Sequence, residues 1–366
     1  MVKFIPAGPP APVHMILFIL DTRDLGITRL QKLIIVLNQI RLKSVSSLIK
    51  REKPRRISMS KISAFTIVKD ALKQGYPFAE SIASVLPVCD ELLVSDGFST
   101  DGTYEILQKI ETLNKKVKVY QQEWTKKTLT IIADLSNDLR KKCKFDYLFY
   151  FQAPEIIHEN NIETLRALPE TFPDADTFCL PFTAVIGNLK AHEESRLRFC
   201  RNLNRLNLTG DAWAFSVTKG FIRSEARKNL KRPKKLLNYI GRGVEWAYAG
   251  SLNNVRSRAV CLPNPILRYP CLFKENYFER LRGHAVNLDL QVFQDAAGRY
   301  ENVEGEAFFE KVAKEHREGY HINYVGNLGV LKLDEHPAIM RELIEKRTSI
   351  LRYFVRDTVL DAIANA

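Results

Sequence analysis

Hydrophobic and polar positions fall into two regimes, irregular up to about residue 57 and regular from Ile62 onward. The run 62–68 (ISAFTIV) is apolar or small throughout, which suits a strand buried on both faces of a parallel sheet. A helix is predicted over 78–86, where Phe78, Ile82, Val85 and Leu86 share one side and Pro87 closes it. The run 91–95 (ELLVS) reads as the next strand, followed by a helix over 103–113, a strand over 117–121, a helix over 129–142 and an aromatic strand over 147–151. Such alternation predicts a doubly wound α/β sheet. Past residue 175 the pattern gives a strand over 177–185, a Gly-Asn break and a basic stretch, 196–205, read as a strand pair. A helix is predicted over 337–363, with Ile339, Leu343, Ile344, Ile350, Leu351 and Phe354 as its packing stripe. No internal repeat is found.

Ahead of this lies a Pro-rich start, then a segment, 30–50, with Leu33, Ile34, Leu37, Ile40, Leu42 and Val45 near helical spacing and Arg29, Lys32, Arg41, Lys43 and Lys50 on the other side. This pattern suits a basic amphipathic helix in peripheral membrane contact, and equally a helix docked on the domain's own core, which is the preferred reading. Lys50, Arg51, Lys53, Arg55 and Arg56 read as a solvated linker. The apolar stretch 15–20 is far shorter than the roughly 20 residues of a membrane-spanning helix. Pro9, Pro10 and Pro12 before it, and Asp21 and Asp24 after it, do not suit a signal peptide.

The formal charge of +13 and pI near 9.4 add a positive field that favours phosphates, nucleic acid or an anionic membrane without choosing among them. The six cysteines show no CxxC pair and no zinc spacing, so reduced thiols in a cytoplasmic protein are expected. Cys89, Cys179 and Cys261 lie in apolar runs and are read as buried.

The segment 94–103, Val-Ser-Asp-Gly-Phe-Ser-Thr-Asp-Gly-Thr, places Asp96 at a strand end before a hydroxyl-rich turn that opens a helix. Ligands of open parallel sheets bind at that end. A carboxylate there can accept hydrogen bonds from a base or ribose, while Ser99 or Asp101 can cap the following helix. Taken with the preceding strand and helix, this stretch resembles the N-terminal half of the large inverting glycosyltransferase family with the GT-A fold, whose turn reads V-x-D-G-S-T-D-G-T. The resemblance runs over 62–159 and thins beyond. It implies that Asp96 contacts the nucleotide, with Thr66 and Lys69 beside the base and Ser99 and Asp101 in the same nucleotide-binding turn. It also implies a nucleoside diphosphate sugar as donor and a glycan, lipid carrier or protein as acceptor.

In that family the polar turn after the aromatic strand, here 152–155 (QAPE), carries a D-x-D-like motif that holds Mn²⁺ or Mg²⁺ against the diphosphate. Pro154 replaces the acidic residue, leaving Gln152 and Glu155 as diphosphate candidates and Glu155 alone as metal ligand. At 266–269 (ILRY) Arg268 stands where related sequences often have a His. The two departures imply a weakened or absent metal site, with Arg268 able to hold phosphate in its place. Inversion needs a general base, for which Asp211, in a Gly-containing turn beside Trp213, is the first candidate and Glu245, beside Trp246, the second. His336, before Pro337, is read as a packing histidine.

Arg196, Arg198, Arg201 and Arg205 near Phe199 invite a nucleic-acid reading, but no such motif is present, and a solvated face or a diphosphate site explains them equally well. The expected architecture is therefore an α/β, GT-A-like (Rossmann-like), mostly parallel sheet flanked by helices. It comprises an N-terminal extension (1–57), a glycosyltransferase-like domain (58–275) and a largely helical C-terminal region (276–366).

Overall fold

Strand β1 (Ile62–Val68) is buried at every position and sits inside the sheet with a neighbour on each side. In the computed structural model the described residues are 60–124, 130–209, 212, 214–217, 255–288, 300, 302–319, 329–347, 350 and 352–366. The chain divides into two compact units, Met1–Ser58 and Met59–Ala366, and every element below belongs to the second. The segment 30–50 and the basic linker lie outside the described residues.

After β1 come α1 (Ala71–Gln74), α2 (Phe78–Val85), β2 (Glu91–Asp96), α3 (Thr103–Leu113), β3 (Val117–Gln121), α4 (Ile131–Arg140) and β4 (Tyr147–Tyr150). Strand β2 lies parallel to β1 on one side with β3 parallel beyond it, and β4 lies parallel to β1 on the other side. Alternation along β1 divides the core: Ile62, Ala64 and Val68 pack with Phe78, Ile82 and Val85 of α2, while Phe65 and Ile67 pack with Ile131, Leu135 and Leu139 of α4. Burying each such Phe, Ile or Leu contributes about 1.5–3 kcal/mol, so both faces must be covered, and helices cover them.

The second half departs from the parallel expectation. It contains β5 (Glu155–Ile156), α5 (Ile162–Thr171), β6 (Thr177–Ile186), β7 (Leu189–Arg201), β8 (Leu206–Thr209), β9 (Ala214–Val217), β10 (Ser257–Ala259) and β11 (Ile266–Cys271). The main sheet runs β3-β2-β1-β4-β7-β6-β11-β5, with β7 antiparallel to both β4 and β6, and β11 antiparallel to β5. The cause is the tight turn at Gly187, whose φ of +60° lets the chain double back so that β6 and β7 pair along most of their length. Only the half around β1 is purely parallel. The strand pair expected over 196–205 is instead the end of one long strand. Strand β7 continues to Arg201 and bulges at Arg198, where the ladder passes from Phe178 opposite Phe199 to Cys179 opposite Leu197.

Helices α6 (Lys274–Leu288) and α7 (Gly305–Gly319), the short strand β12 (Gly329–Val330), α8 (Ala338–Lys346) and α9 (Asp357–Ala364) follow. The single helix expected over 337–363 is two, α8 and α9. Between them Tyr353 and Arg356 reach the buried carboxylate of Glu80 on α2: Tyr353 Oη donates to Oε2 at 2.6 Å and Arg356 Nη2 to Oε1 at 3.3 Å. Phe354, assigned to the packing stripe, is exposed in this break between the helices. Asn276 of α6 ties this segment to α1. Its amide donates to Leu72 O (3.1 Å) and Lys73 O (2.9 Å), and its Oδ1 accepts from Tyr353 N (2.7 Å).

Cys89 is buried as expected, Cys179 is half-buried, and Cys261 is exposed, its apolar neighbours being loop residues. Among the described residues no helix is long and apolar enough to cross a membrane.

Candidate functional site

The chain runs outward from β1 through β2 to β3 and then returns to place β4 on β1's other side, so the connections leaving β1 and β4 diverge. In open α/β sheets this reversal leaves a crevice beyond the carboxyl ends of the strands, where ligands bind. Residues 66–75, 96–103 and 151–155 come together at this edge, joined by Gly97 N donating to Val68 O (2.8 Å) and Phe151 N to Phe65 O (3.3 Å).

The first two loops are latched by side chains. Asp70 N donates to Ser99 Oγ (2.8 Å), Thr100 N to Asp70 Oδ1 (2.9 Å), Lys73 N to Asp101 Oδ2 (2.7 Å) and Leu72 N to Thr103 Oγ1 (3.1 Å). Asp101 also takes the amide of Thr103 at 3.0 Å from one residue ahead of the N-cap, which is Gly102 rather than Ser99 or Asp101. Lys69 folds over the second loop, donating from Nζ to Gly97 O at 2.7 Å.

Asp96 ends β2 as the sequence indicates, but its carboxylate is fully buried rather than facing open space. Its oxygens accept from Ser99 N (3.0 Å), Ser99 Oγ (2.5 Å) and Gln121 Nε2 (3.4 Å). Asp96 therefore shapes the turn, and what the turn presents outward is Phe98, while Gly97 is buried against Trp124 and Lys69. A Cβ on Gly97 would lie 2.6 Å from Trp124 Nε1 and 2.9 Å from Lys69 Cβ, so the backbone here is packed as closely as glycine permits. Phe98 is half exposed and holds a left-handed φ of +55°, a conformation that costs a bulky residue on the order of 1–2 kcal/mol. Thr66 is buried on β1, and its Oγ1 has no hydrogen-bond partner among the described residues.

The 152–155 turn is organised around Glu155. This buried carboxylate accepts at Oε2 from Gln152 N (2.9 Å) and at Oε1 from Arg196 Nη1 (3.2 Å) and Arg198 Nη2 (2.7 Å). Ser81 of α2 fixes the same turn by donating to Glu155 O at 2.6 Å. Arg268 stands opposite Glu155 in the β5–β11 ladder. Alternate arginines on β7 are thus not a solvated face: both guanidiniums are wholly buried, Arg198 over the Tyr150 ring at 4.8 Å and Arg196 over Phe182 at 5.6 Å. Burial, then Arg198 and Arg268, push the Arg196 guanidinium down to about 10, which leaves it charged at neutral pH. Arg196 also pairs with Glu194, whose carboxyl is held near 2 by His192 and Arg196 although burial works against it. Glu194, Phe182 and Thr183 line a cavity of about 420 Å³, within the size range of small-ligand pockets.

As a cation ligand Glu155 fits poorly. A divalent ion needs unoccupied carboxylate lone pairs in a negative surround, whereas each Glu155 oxygen already accepts and two guanidiniums flank it. Pro154 offers no donor side chain, and among the described residues no group of three or more His, Cys, Asp or Glu is placed to hold a metal.

The candidate bases Asp211 and Glu245 lie outside the described residues. Ala212, next to Asp211 in the chain, has a φ of +48° and accepts from Arg198 Nη1 at 2.8 Å. His336 is a packing histidine: it is buried, its Nδ1 lies 2.8 Å from Tyr269 Oη, and burial chiefly lowers its imidazole to about 4. Trp124, Phe98 and the bond between Arg198 and Glu155 escaped sequence reasoning. The one available signal was arginine at alternate positions between the apolar residues Leu197 and Phe199.

No protein-family model matches the chain, and no curated protein does. Solved structures similar to it include S. aureus TarS residues 1–349, at 14% identity over 83% of this chain and 89% of that one, with a TM-score of 0.34. The same protein in complex with UDP gives 15% identity, 83% and 89% coverage and a TM-score of 0.36. A further TarS crystal structure gives 14% identity over 79% of this chain and 53% of that one, with a TM-score of 0.36.

Proposed function

We propose that this chain binds a nucleoside diphosphate sugar at the carboxyl edge of β1, β2 and β4 and transfers the sugar to a hydroxyl of a glycan, lipid carrier or protein. The observation that carries this reading is the strand reversal between β1 and β4, with two latched loops and a buried Arg–Glu group meeting at one edge. The nucleoside lies over the turn shaped by Asp96, Ser99 and Asp101, against Phe98 and beside Lys69 at the end of β1. The diphosphate lies toward Gln152 and Arg268. The acceptor oxygen attacks the anomeric carbon from the face opposite the diphosphate. The bond to the phosphate oxygen breaks, its electron pair leaves with the diphosphate, and a carboxylate takes the acceptor's proton. Asp211 is assigned that proton, its neighbour Ala212 being tied to Arg198, and Glu245 is the second choice. Inversion follows from the family resemblance stated above.

A melting-temperature screen against UDP, GDP and their sugars tests binding. A ligand at about 100 times its Kd stabilises by about 2.7 kcal/mol, worth roughly 4 °C for a unit of this size. The carboxylate of Glu155 held by two arginines also suits a chain that keeps the nucleotide pocket as a binding or scaffold module. Release of diphosphate from a bound donor separates the two: nucleotide binding without donor hydrolysis or transfer to crude acceptors favours the scaffold.

A further inference from the structure

Strands β6 and β7 and the 262–265 loop bound a cavity of about 420 Å³ whose lining the transfer scheme leaves unused. Its place in the sheet is specific. The β4–β7 ladder ends at Phe149 opposite Phe199, and the next pairing on that side of β7 is with β12, at Leu189 and Lys190. Because β7 runs antiparallel to β4, the stretch between, which includes Glu193, Glu194 and Ser195, extends past the carboxyl end of β4. The cavity is joined to the 152–155 turn through one guanidinium, since Arg196 pairs with Glu194 from one nitrogen and with Glu155 from another.

The lining sorts ligands by their chemistry. Thr183 is 2% exposed, and its hydroxyl has no hydrogen-bond partner among the described residues. A buried hydroxyl left in this way costs stability until a ligand or water satisfies it. Glu193 lies opposite Thr183 in the ladder and Ser195 opposite Pro181; both are exposed, and neither side chain is hydrogen-bonded or ion-paired among the described residues. A carboxylate that accepts, beside hydroxyls that donate and accept, matches the hydroxyl groups of a sugar. Pro181, Leu262 and Pro265 add apolar surface for the C–H face of a ring. Among the described residues no cationic side chain lines the cavity, so Glu193 opposes an anionic ligand. The volume stands near the small end of ligand pockets, which suits a short saccharide rather than a peptide segment.

Resting on the sugar-transfer reading above, we propose that this cavity binds the acceptor as an uncharged saccharide, with Glu193, Thr183 and Ser195 holding its hydroxyls. The acceptor is thereby narrowed to the end of a neutral glycan, and sugars that carry phosphate are disfavoured.

The test is titration calorimetry of the full chain with glucose, galactose, mannose, N-acetylglucosamine, maltose, cellobiose and lactose, each alone and with UDP or GDP present, beside separate titrations of the two nucleotides. At least one saccharide binds, and Glu193→Gln, at an exposed position, weakens it by roughly tenfold while leaving the melting temperature unchanged. Thr183→Val keeps the side chain's shape, removes the hydroxyl and weakens binding by about threefold or more. Phosphate esters of the same hexoses bind at least about tenfold more weakly than the parent sugars, and Glu193→Gln narrows that gap. No saccharide binding with or without nucleotide, affinities that neither variant changes, or phosphate esters that bind as tightly as the parent sugars overturn the inference and leave the proposed function standing on its nucleotide titrations. Saccharide binding with the expected losses but no binding of UDP or GDP supports the saccharide site and overturns the functional reading, and the acceptor role with it.

Discussion

Glu155→Ala probes the organisation of the site through stability alone. In the native chain its carboxylate faces Arg198 at 2.7 Å and Arg196 at 3.2 Å, both side chains fully buried. Removing the carboxylate leaves Arg198 with the Ala212 carbonyl and the Tyr150 ring but no counter-charge among the described residues, while Arg196 keeps Glu194. Breaking a buried pair by deleting one partner costs about 3–5 kcal/mol, because the surviving charge stays desolvated. A unit of roughly 300 residues has an unfolding entropy of about 0.6 kcal/mol/K, so the melting temperature should fall by about 6 °C. In urea the same loss appears as a lower midpoint at unchanged slope. The double variant Glu155→Leu/Arg198→Met removes the stranded charge together with its partner and should recover roughly 2 kcal/mol of that loss, a non-additivity expected only if the two groups are coupled. A Glu155→Ala loss below about 1 kcal/mol, or a double variant no more stable than the single, refutes this account of the pair.

Three further outcomes are expected. Burial holds the His336 imidazole near 4, below its ordinary value of 6.5, so the fold favours the neutral ring; the associated stability is complete above pH 6.5 and falls as pH drops toward 4, by about 2 kcal/mol between pH 7 and 5. His316, held near 2 by burial and by Arg268, His192 and Arg280, adds to the same trend, and urea midpoints across this range should fall less steeply in His336→Gln. Phe98→Gly relieves the left-handed φ of +55° and should stabilise the chain by about 1 kcal/mol in thermal melts. Gly97→Ala places a Cβ against Trp124 and the Lys69 stem, and should cost about 1–3 kcal/mol and weaken nucleotide binding at least tenfold in calorimetry.

The parallel half was legible because burial on both faces writes apolar runs into β1, β2 and β4 and one-sided stripes into α2 and α3. The helix over 103–113 and the strand over 117–121 match α3 and β3 residue for residue. The direction of β7 was not legible: a strand's periodicity is the same whichever way it runs, and Gly187 decides the matter through a turn. Buried arginines mislead for a related reason, since residue type suggests solvent until the partner carboxylate, 43 residues away for Arg198, is brought to it. The same holds for Asp96. Its position at a strand end could be read, but its capture by Ser99 and Gln121 depends on how the turn closes.

Asn276 joins what a linear division of the chain would separate. Its one amide group spans the backbone after β1 and the segment between α8 and α9, and the Asn276 side chain also blocks any Cβ at Gly75, which would come within 2.3 Å of its own Cβ. A protein cut before this residue would lose the brace behind its strand-edge loop even with every candidate nucleotide contact intact. Exchange of carboxyl-terminal segments between such chains, aimed at changing the acceptor, would therefore carry a penalty in donor affinity unless the asparagine and its glycine travelled together.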